Sequence, residues 1–203
     1  FCDYMMKDME IIKATDNSVI NPNINHLYIY GDRREKFTNL RKVLASAKPK
    51  RSIVFVNDEA SIEVINEKLN YHKYKSVCIS GKMSKEDRKN AMTAFRSGKA
   101  NILVSSDLSA RGLDIPDVSH VFNLDFPLSK NEYLHRCGRS ARGNKKGTAI
   151  SIITNQNLGT IRDYKRQFKI NMKAVEIKEG KFVDVDFKQL KKEAKAKREN
   201  KNK

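Results

Sequence analysis

Residues 135–143 read HRCGRSARG and place three arginines within seven residues, beside two glycines and a histidine. Arginine presents a planar, permanently charged fork that matches phosphate oxygens, and small neighbouring residues let such forks approach a ligand closely. The stretch therefore predicts a phosphate-binding site. Taken alone, these residues leave a solvated basic loop open as the alternative.

A second stretch of sequence favours the phosphate-binding site over the solvated loop. Residues 105–116 read SSDLSARGLDIP, follow an apolar run, and hold two acids and one arginine around Gly112. Together the two stretches resemble motifs V and VI of the DEAD-box RNA helicases, whose usual forms are TDxAARGLDIP and HRxGRxGR. The resemblance extends to residues 52–57, similar to motif IV, and to residues 80–88, similar to the motif IVa region.

Strand and helix patterns alternate along the chain. Helices are expected to begin at Asp32 with Glu35, at Asp58, at Ser84 and at Ser129, and a further helix covers roughly residues 157–168. Such alternation favours right-handed crossovers, hence an α/β fold with a mostly parallel β-sheet and helices on both faces. The resemblance specifies a RecA-like domain. Predicted strands cover residues 24–30, 52–56, 76–79, 101–104, 120–124 and 149–153.

The resemblance also divides the chain. Residues 1–23 are expected to be the end of a first lobe and an interlobe linker, and residues 24–180 the helicase C-terminal RecA-like domain. Residues 181–203 are expected to form a basic C-terminal extension. Lysine dominates residues 188–203, which have too few apolar residues to offset their ordering entropy, so this tail is predicted to be disordered or a fraying helix. The chain opens on Phe1 and looks like an excised piece.

Composition limits the class of partner. The 41 Lys and Arg residues against 24 Asp and Glu give a formal net charge of +17, which favours a polyanionic partner.

The absence of a long apolar run and of a signal-peptide pattern predicts a cytoplasmic protein with no membrane partner. The three cysteines, Cys2, Cys78 and Cys137, have no metal-type spacing and are expected to be reduced thiols. Nothing in the sequence requires more than a monomer.

The resemblance implies an ATP site shared between two lobes. In the family the second and third arginines of motif VI, here Arg139 and Arg142, reach the γ-phosphate, and His135 links the lobes across the nucleotide cleft. Asp114 matches the motif V aspartate that contacts the ATP ribose, and Arg111 is expected to brace the cleft. The alternatives are a structural His135, a turn role for Asp114, and an internal ion pair between Arg111 and Asp107. Arg136 is expected to anchor its loop internally.

ATP and Mg²⁺ are expected to be held mainly by the N-terminal RecA-like lobe of the same polypeptide. The chain contains no G-x-x-x-x-G-K-[ST] segment and no Asp-Glu-Ala-Asp. It is therefore expected to contribute arginine fingers and no metal ligand, and to be inactive alone.

The RNA-binding residues implied by the resemblance are Ser106, Gly112, Gly81, Arg88 and Lys85. Small hydroxyls and backbone N–H groups suit phosphate and sugar contacts, which fix position without reading bases.

Three of the departures from the family pattern bear on the choice between a catalytic and a noncatalytic domain. Lys85 replaces the usual glutamine, Asp58 the common threonine of motif IV, and Ala141 the usual second glycine of motif VI. These departures keep open a noncatalytic RNA-binding or scaffold domain derived from a helicase. A third reading is a response-regulator-like domain with Asp58 as phosphoacceptor, which the lack of an acidic pair after the first strand disfavours.

Overall fold

The strands form one mixed sheet. The computed structural model describes residues 20–113, 115, 118–141, 145–186 and 188, and within them eight strands run in the order β3-β4-β2-β5-β6-β1-β7-β8. All neighbours pair in parallel except β7 and β8, which are antiparallel. The strands are β1 Ile24–Tyr30, β2 Ser52–Phe55, β3 Ser76–Ile79, β4 Ile102–Ser105, β5 His120–Asn123, β6 Gly147–Ile153, β7 Met172–Lys178 and β8 Lys181–Asp184.

Helices cover both faces of the sheet. Val54 of β2 packs in a cluster with Leu40 and Ile62, whereas its neighbour Ile53 packs in a separate cluster with Phe95. Successive side chains of a strand point to opposite faces, so these two clusters lie on opposite sides. The predicted α/β class is confirmed. The helices are α1 Lys36–Ala47, α2 Glu59–Tyr71, α3 Lys85–Arg96, α4 Asp107–Ala110, α5 Lys130–Cys137 and α6 Leu158–Phe168.

The sheet continues beyond the predicted domain limit at residue 180. Strands β7 and β8 form a hairpin whose turn contains Gly180 at φ 74°, a backbone conformation that favours glycine. The limit falls in this turn, so residues 181–184 belong to the sheet and not to the basic extension. Charged residues interrupt the apolar residues in both strands, so neither strand shows the continuous apolar run that marks the buried strands of the sheet.

Three of the predicted helix caps are present, and one differs. The side chains of Asp58, Ser84 and Ser129 accept hydrogen bonds from backbone N–H groups in the first turns of α2, α3 and α5. Asp32 makes no side-chain cap hydrogen bond and precedes a 3₁₀ turn, Arg33–Glu35, after which α1 begins at Lys36.

A buried arginine ties α5 to the sheet. Arg136 is 1% exposed. Its Nε donates to Asp107 Oδ2 at 2.9 Å, its Nη2 to Asn57 Oδ1 at 2.7 Å, and its Nη1 to the Asp125 carbonyl at 2.7 Å. These three acceptors follow β4, β2 and β5, so one guanidinium fixes three strand ends. This is the internal anchoring role expected for Arg136.

A second contact holds α5 against β1. His26 is 3% exposed, and its Nδ1 lies 2.7 Å from the hydroxyl of Tyr133 on α5. Burial lowers the pKa of His26 to about 4. The imidazole is therefore neutral at pH 7.

Replacing Arg136 with lysine is predicted to destabilise the domain by about 3 kcal/mol or more, because an ammonium group cannot reach all the acceptors and leaves buried ones unpaired. Chemical unfolding measures this change. Arg162→Lys, at an exposed position of α6, is the matched control and is expected to stay within about 0.5 kcal/mol of wild type. Equal stability of the two variants would contradict the anchoring role.

Acid is predicted to destabilise the domain through His26. Its folded pKa is about 4 against an ordinary value of 6.5, so the unfolded chain binds more protons between these values. The free energy of unfolding is then intact above the upper value and falls as the pH drops towards the lower one, by up to about 3 kcal/mol. In His26→Gln this part of the pH dependence is absent. Unfolding curves collected across that range compare the two proteins, and identical pH slopes would show that His26 does not carry the effect.

Candidate functional site

Several of the predicted site residues lie at one edge of the sheet. In a parallel sheet the carboxyl ends of the strands share an edge, and ligands bind in crevices there. Gly81 follows β3, Ser106 and Asp107 follow β4, and Asn57 follows β2. Helix α5 brings His135 to the same edge, because Arg136 beside it is bound to Asp107 and Asn57.

A pocket joins the two arginine-bearing stretches. Arg111 comes from the loop after α4, His135 lies on α5, and Arg139 follows that helix, yet all three line one pocket. His135 and Arg111 are exposed and Arg139 is half-buried. The remaining lining residues are Phe55, Asp107, Ala110 and Glu132. The structure therefore brings together three residues that the sequence assigned to the nucleotide cleft.

The end of α5 explains why neighbouring arginines have different surroundings. Arg136 lies within the helix and points into the protein, whereas Arg139 lies beyond Gly138 in a turn, where its N–H donates to the Arg136 carbonyl at 3.1 Å. Ser140 continues this turn, and a Cβ on Gly147 would lie 2.6 Å from its Oγ. Only glycine at residue 147 lets β6 begin so close to the arginine loop.

Ala141 sits in the same loop with a φ of 56°, in the left-handed region that favours glycine. It is buried, and its carbonyl accepts a hydrogen bond from Asn21 Nδ2 at 2.6 Å. The departure from the family's usual glycine therefore falls at a position where glycine would be the less strained residue.

Both acids of the pocket already have partners. Asp107 forms an ion pair with Arg136, which replaces the Arg111–Asp107 pair considered from the sequence. Glu132 Oε2 accepts a hydrogen bond from the Leu128 N–H at 2.8 Å. Arg111 and Arg139 bring two guanidinium groups to the same pocket, and guanidinium groups are suited to binding phosphate oxygens.

Two predicted nucleotide residues lie outside the described part of the chain. These are Asp114, expected at the ribose, and Arg142, the second expected arginine finger. Both assignments stay predictions.

A different set of residues surrounds Glu59, at the start of α2. Its Oε2 accepts a hydrogen bond from the Gly81 N–H at 2.8 Å, and its Oε1 accepts from the hydroxyls of Ser109, at 2.7 Å, and of Ser106. Arg88 is close enough to interact electrostatically with the carboxylate. Three of the predicted RNA-binding residues, Gly81, Ser106 and Arg88, thus converge on one acid.

Glu59 is ionised in this setting. Partial burial raises the pKa of its carboxyl, but hydrogen bonds from Ser106, Gly81 and Ser109 and the charge of Arg88 lower it further, and the net pKa lies below the ordinary value. The sequence analysis missed Glu59. One sequence feature could have pointed to it: Glu59 is an acid directly after the helix cap Asp58, where α2 begins at the carboxyl edge of the sheet.

The other two predicted RNA residues are exposed and stand apart from this acid's hydrogen bonds. Lys85 is the first residue of α3, and Gly112 follows α4 with a φ of 71°. That conformation accounts for glycine at residue 112.

Asp58 acts as a helix cap. Its Oδ1 accepts from the Ala60 N–H at 3.1 Å and its Oδ2 from the Ser61 hydroxyl at 2.7 Å. These bonds, the Ser61 bond foremost, lower its pKa. Both carboxylate oxygens are thus engaged by the first turn of α2, as expected for a cap and not for a phosphoacceptor.

Two kinds of feature are absent from the part of the chain that the structure describes. None of the helices there has the length and apolar content needed to cross a membrane. Nor do three or more His, Cys, Asp or Glu side chains converge in that part of the chain to form a metal site.

Comparison with known proteins agrees with this geometry. The model of the helicase conserved C-terminal domain matches residues 35–144. Among curated relatives, DEAD-box ATP-dependent RNA helicase CshC of Bacillus cereus is 36% identical over 169 residues, covering 83% of this chain and 43% of the relative. CshA of B. cereus is 33% identical over 167 residues, covering 82% of this chain and 32% of the relative. The chain thus spans less than half the length of these relatives.

Solved structures give the same result. The Escherichia coli DEAD-box protein SrmB, bound to the regulator of ribonuclease activity A, superposes with a TM-score of 0.72 at 36% identity, covering 77% of this chain and 93% of that one. Saccharomyces cerevisiae Dbp5, bound to RNA and ADP BeF3, gives a TM-score of 0.71 at 30% identity over 78% of this chain and 43% of that one. The chain therefore belongs to the helicase conserved C-terminal domain family, and its RecA-like fold is that of the DEAD-box RNA helicases.

Proposed function

We propose that this chain is the C-terminal lobe of an ATP-dependent RNA helicase, and that it supplies Arg139 and Arg142 as arginine fingers for ATP hydrolysis. The observation that carries the proposal is the pocket where Arg111, His135 and Arg139 meet while Arg136 is held inside the protein. The relatives named as ATP-dependent RNA helicases support the reaction class.

The residues of the pocket fit the phosphate end of ATP. Bound ATP would supply the phosphoanhydride bond whose cleavage releases free energy. The guanidinium of Arg139 then stabilises negative charge at the γ-phosphate, which is how an arginine finger accelerates hydrolysis. His135 at the exposed rim links this lobe to the one that holds Mg²⁺ and most of the nucleotide.

RNA would occupy the neighbouring part of the same edge, along Gly81, Ser106, Arg88, Lys85 and Gly112. Backbone N–H groups, small hydroxyls and cationic side chains there favour contacts to phosphate and sugar over contacts to bases. Closure of the two lobes around both ligands would couple hydrolysis to local strand separation and release.

A noncatalytic RNA-binding or scaffold domain is the second candidate. The positive φ of Ala141 favours it, because that residue stands in the arginine loop where the family usually has glycine.

In the full-length gene product, Arg139→Ala is predicted to lower RNA-stimulated ATP turnover by about 10³-fold or more, and Arg139→Lys to be similarly damaging because a point charge cannot reproduce the fork. Steady-state phosphate release at one fixed salt concentration measures the effect. Arg162→Ala removes an equal charge from an exposed site on α6 and is expected to keep the wild-type rate.

The outcomes separate the two candidates. Vigorous turnover in Arg139→Ala would mean that another residue is the finger. A wild-type protein that is folded and binds RNA but does not hydrolyse ATP would favour the noncatalytic domain.

A further inference from the structure

The donors around Glu59 form a cradle of the kind that binds a phosphate group. The Gly81 N–H and the hydroxyls of Ser106 and Ser109 point at one site, with the charge of Arg88 nearby. Both serines are buried, at 4% and 3% exposure, so their hydroxyls have little access to water in place of the carboxylate. Anions are the partners that such a convergence of N–H, O–H and guanidinium groups favours.

Glu59 fills this cradle with an anion from the protein itself. Each carboxylate oxygen is engaged, Oε2 by the Gly81 N–H and Oε1 by both hydroxyls. Ser106 is held in place because its Oγ also accepts the Ser109 N–H at 3.1 Å. A carboxylate and a phosphodiester each carry one negative charge on two oxygens, so the cradle accommodates one or the other.

Arg88, beside this cradle, has a hydrogen-bond donor that is not paired. Its Nε is buried without a hydrogen-bond partner among the described residues. A buried donor left unpaired costs free energy, and an incoming phosphate oxygen is a group that could pair with it.

We propose that Glu59 is an internal competitor for RNA phosphate: its carboxylate occupies a cradle made by Gly81, Ser106 and Ser109, and RNA must displace it to bind there. This inference rests on the proposed function, in which RNA lies along this edge. Glu59 thereby lowers the affinity of the lobe for RNA. Lobe closure or additional phosphate contacts must offset the free-energy cost of displacing its carboxylate.

The alternative is that Glu59 accepts a hydrogen bond from a ribose 2′-hydroxyl. The observed bonds favour competition, because both carboxylate oxygens already accept from protein donors and the two serine hydroxyls donate to Glu59. The two roles predict opposite effects when the carboxylate is removed, since losing a competitor strengthens RNA binding and losing a sugar contact weakens it.

The test measures binding of a fluorescein-labelled oligouridylate to the 203-residue chain by anisotropy over a range of salt concentrations. Glu59→Ala is predicted to bind about three- to tenfold more tightly than wild type. Its plot of log affinity against log salt concentration should steepen by about 0.7, as for one added phosphate contact to a single strand. Glu59→Gln, whose amide oxygen can still accept hydrogen bonds from the serines, should bind RNA with an affinity between those of wild type and Glu59→Ala.

Two further variants distinguish a specific effect of the cradle on RNA affinity from a general effect of net charge. Glu67→Gln removes one negative charge from an exposed position of the same helix, α2, and is expected to stay within about twofold of wild type. Adding Ser106→Ala to Glu59→Ala should abolish most of the gain, because the emptied cradle then lacks a donor. Thermal unfolding of each variant verifies that the assay compares folded proteins.

Each other result counts against the inference. Unchanged binding in Glu59→Ala, or a gain no larger than that of Glu67→Gln, would overturn competition while leaving the proposed function intact. Weaker RNA binding with unchanged binding of oligodeoxythymidylate would replace competition by 2′-hydroxyl recognition. Failure of wild type and all variants to bind RNA at low salt would overturn the proposed function, and this inference with it.

Discussion

The buried guanidinium of Arg136 is the contact on which the rest of the site depends. Removing a charge from water is costly, and the cost is offset only when its hydrogen-bonding capacity is met. Here the fork meets a carboxylate after β4, an amide after β2 and a carbonyl after β5, while its plane lies over the Phe55 ring at 5.0 Å. The end of α5 is therefore fixed relative to three strands at once.

That constraint gives different roles to arginines three residues apart. Arg136 belongs to the helix and is enclosed, whereas Arg139 follows Gly138 and lines the pocket. The Asp107 carboxylate, which also lines the pocket, forms its ion pair with the enclosed Arg136. The same edge carries a second anion-binding arrangement around Glu59, separate from the Arg136 contacts. One sheet edge thus holds a cationic pocket on one part and a carboxylate-filled cradle on another.

The sequence predicted most of what the pocket shows and less of what surrounds the cradle. Continuous apolar runs such as residues 52–56 mark strands buried on both faces. The family resemblance assigned His135, Arg139 and Arg111 to one cleft, and these residues line one pocket. The strands β7 and β8 were not predicted because charged residues interrupt their short apolar stretches. Glu59 was missed because its role depends on where Gly81, Ser106 and Ser109 meet in space, which no local pattern records. The strain at Ala141 was visible only as a departure from a family pattern until its φ was known.

The division of the edge into a nucleotide side and an RNA side is the central claim. An experimental structure of the full-length gene product with RNA and a non-hydrolysable ATP analogue tests it most directly. The predicted result places the Arg139 guanidinium within hydrogen-bonding distance of the terminal phosphate and the RNA backbone beside Gly81 and Ser106. An Arg139 turned away from the nucleotide, or RNA bound at the opposite edge of the sheet, would contradict it.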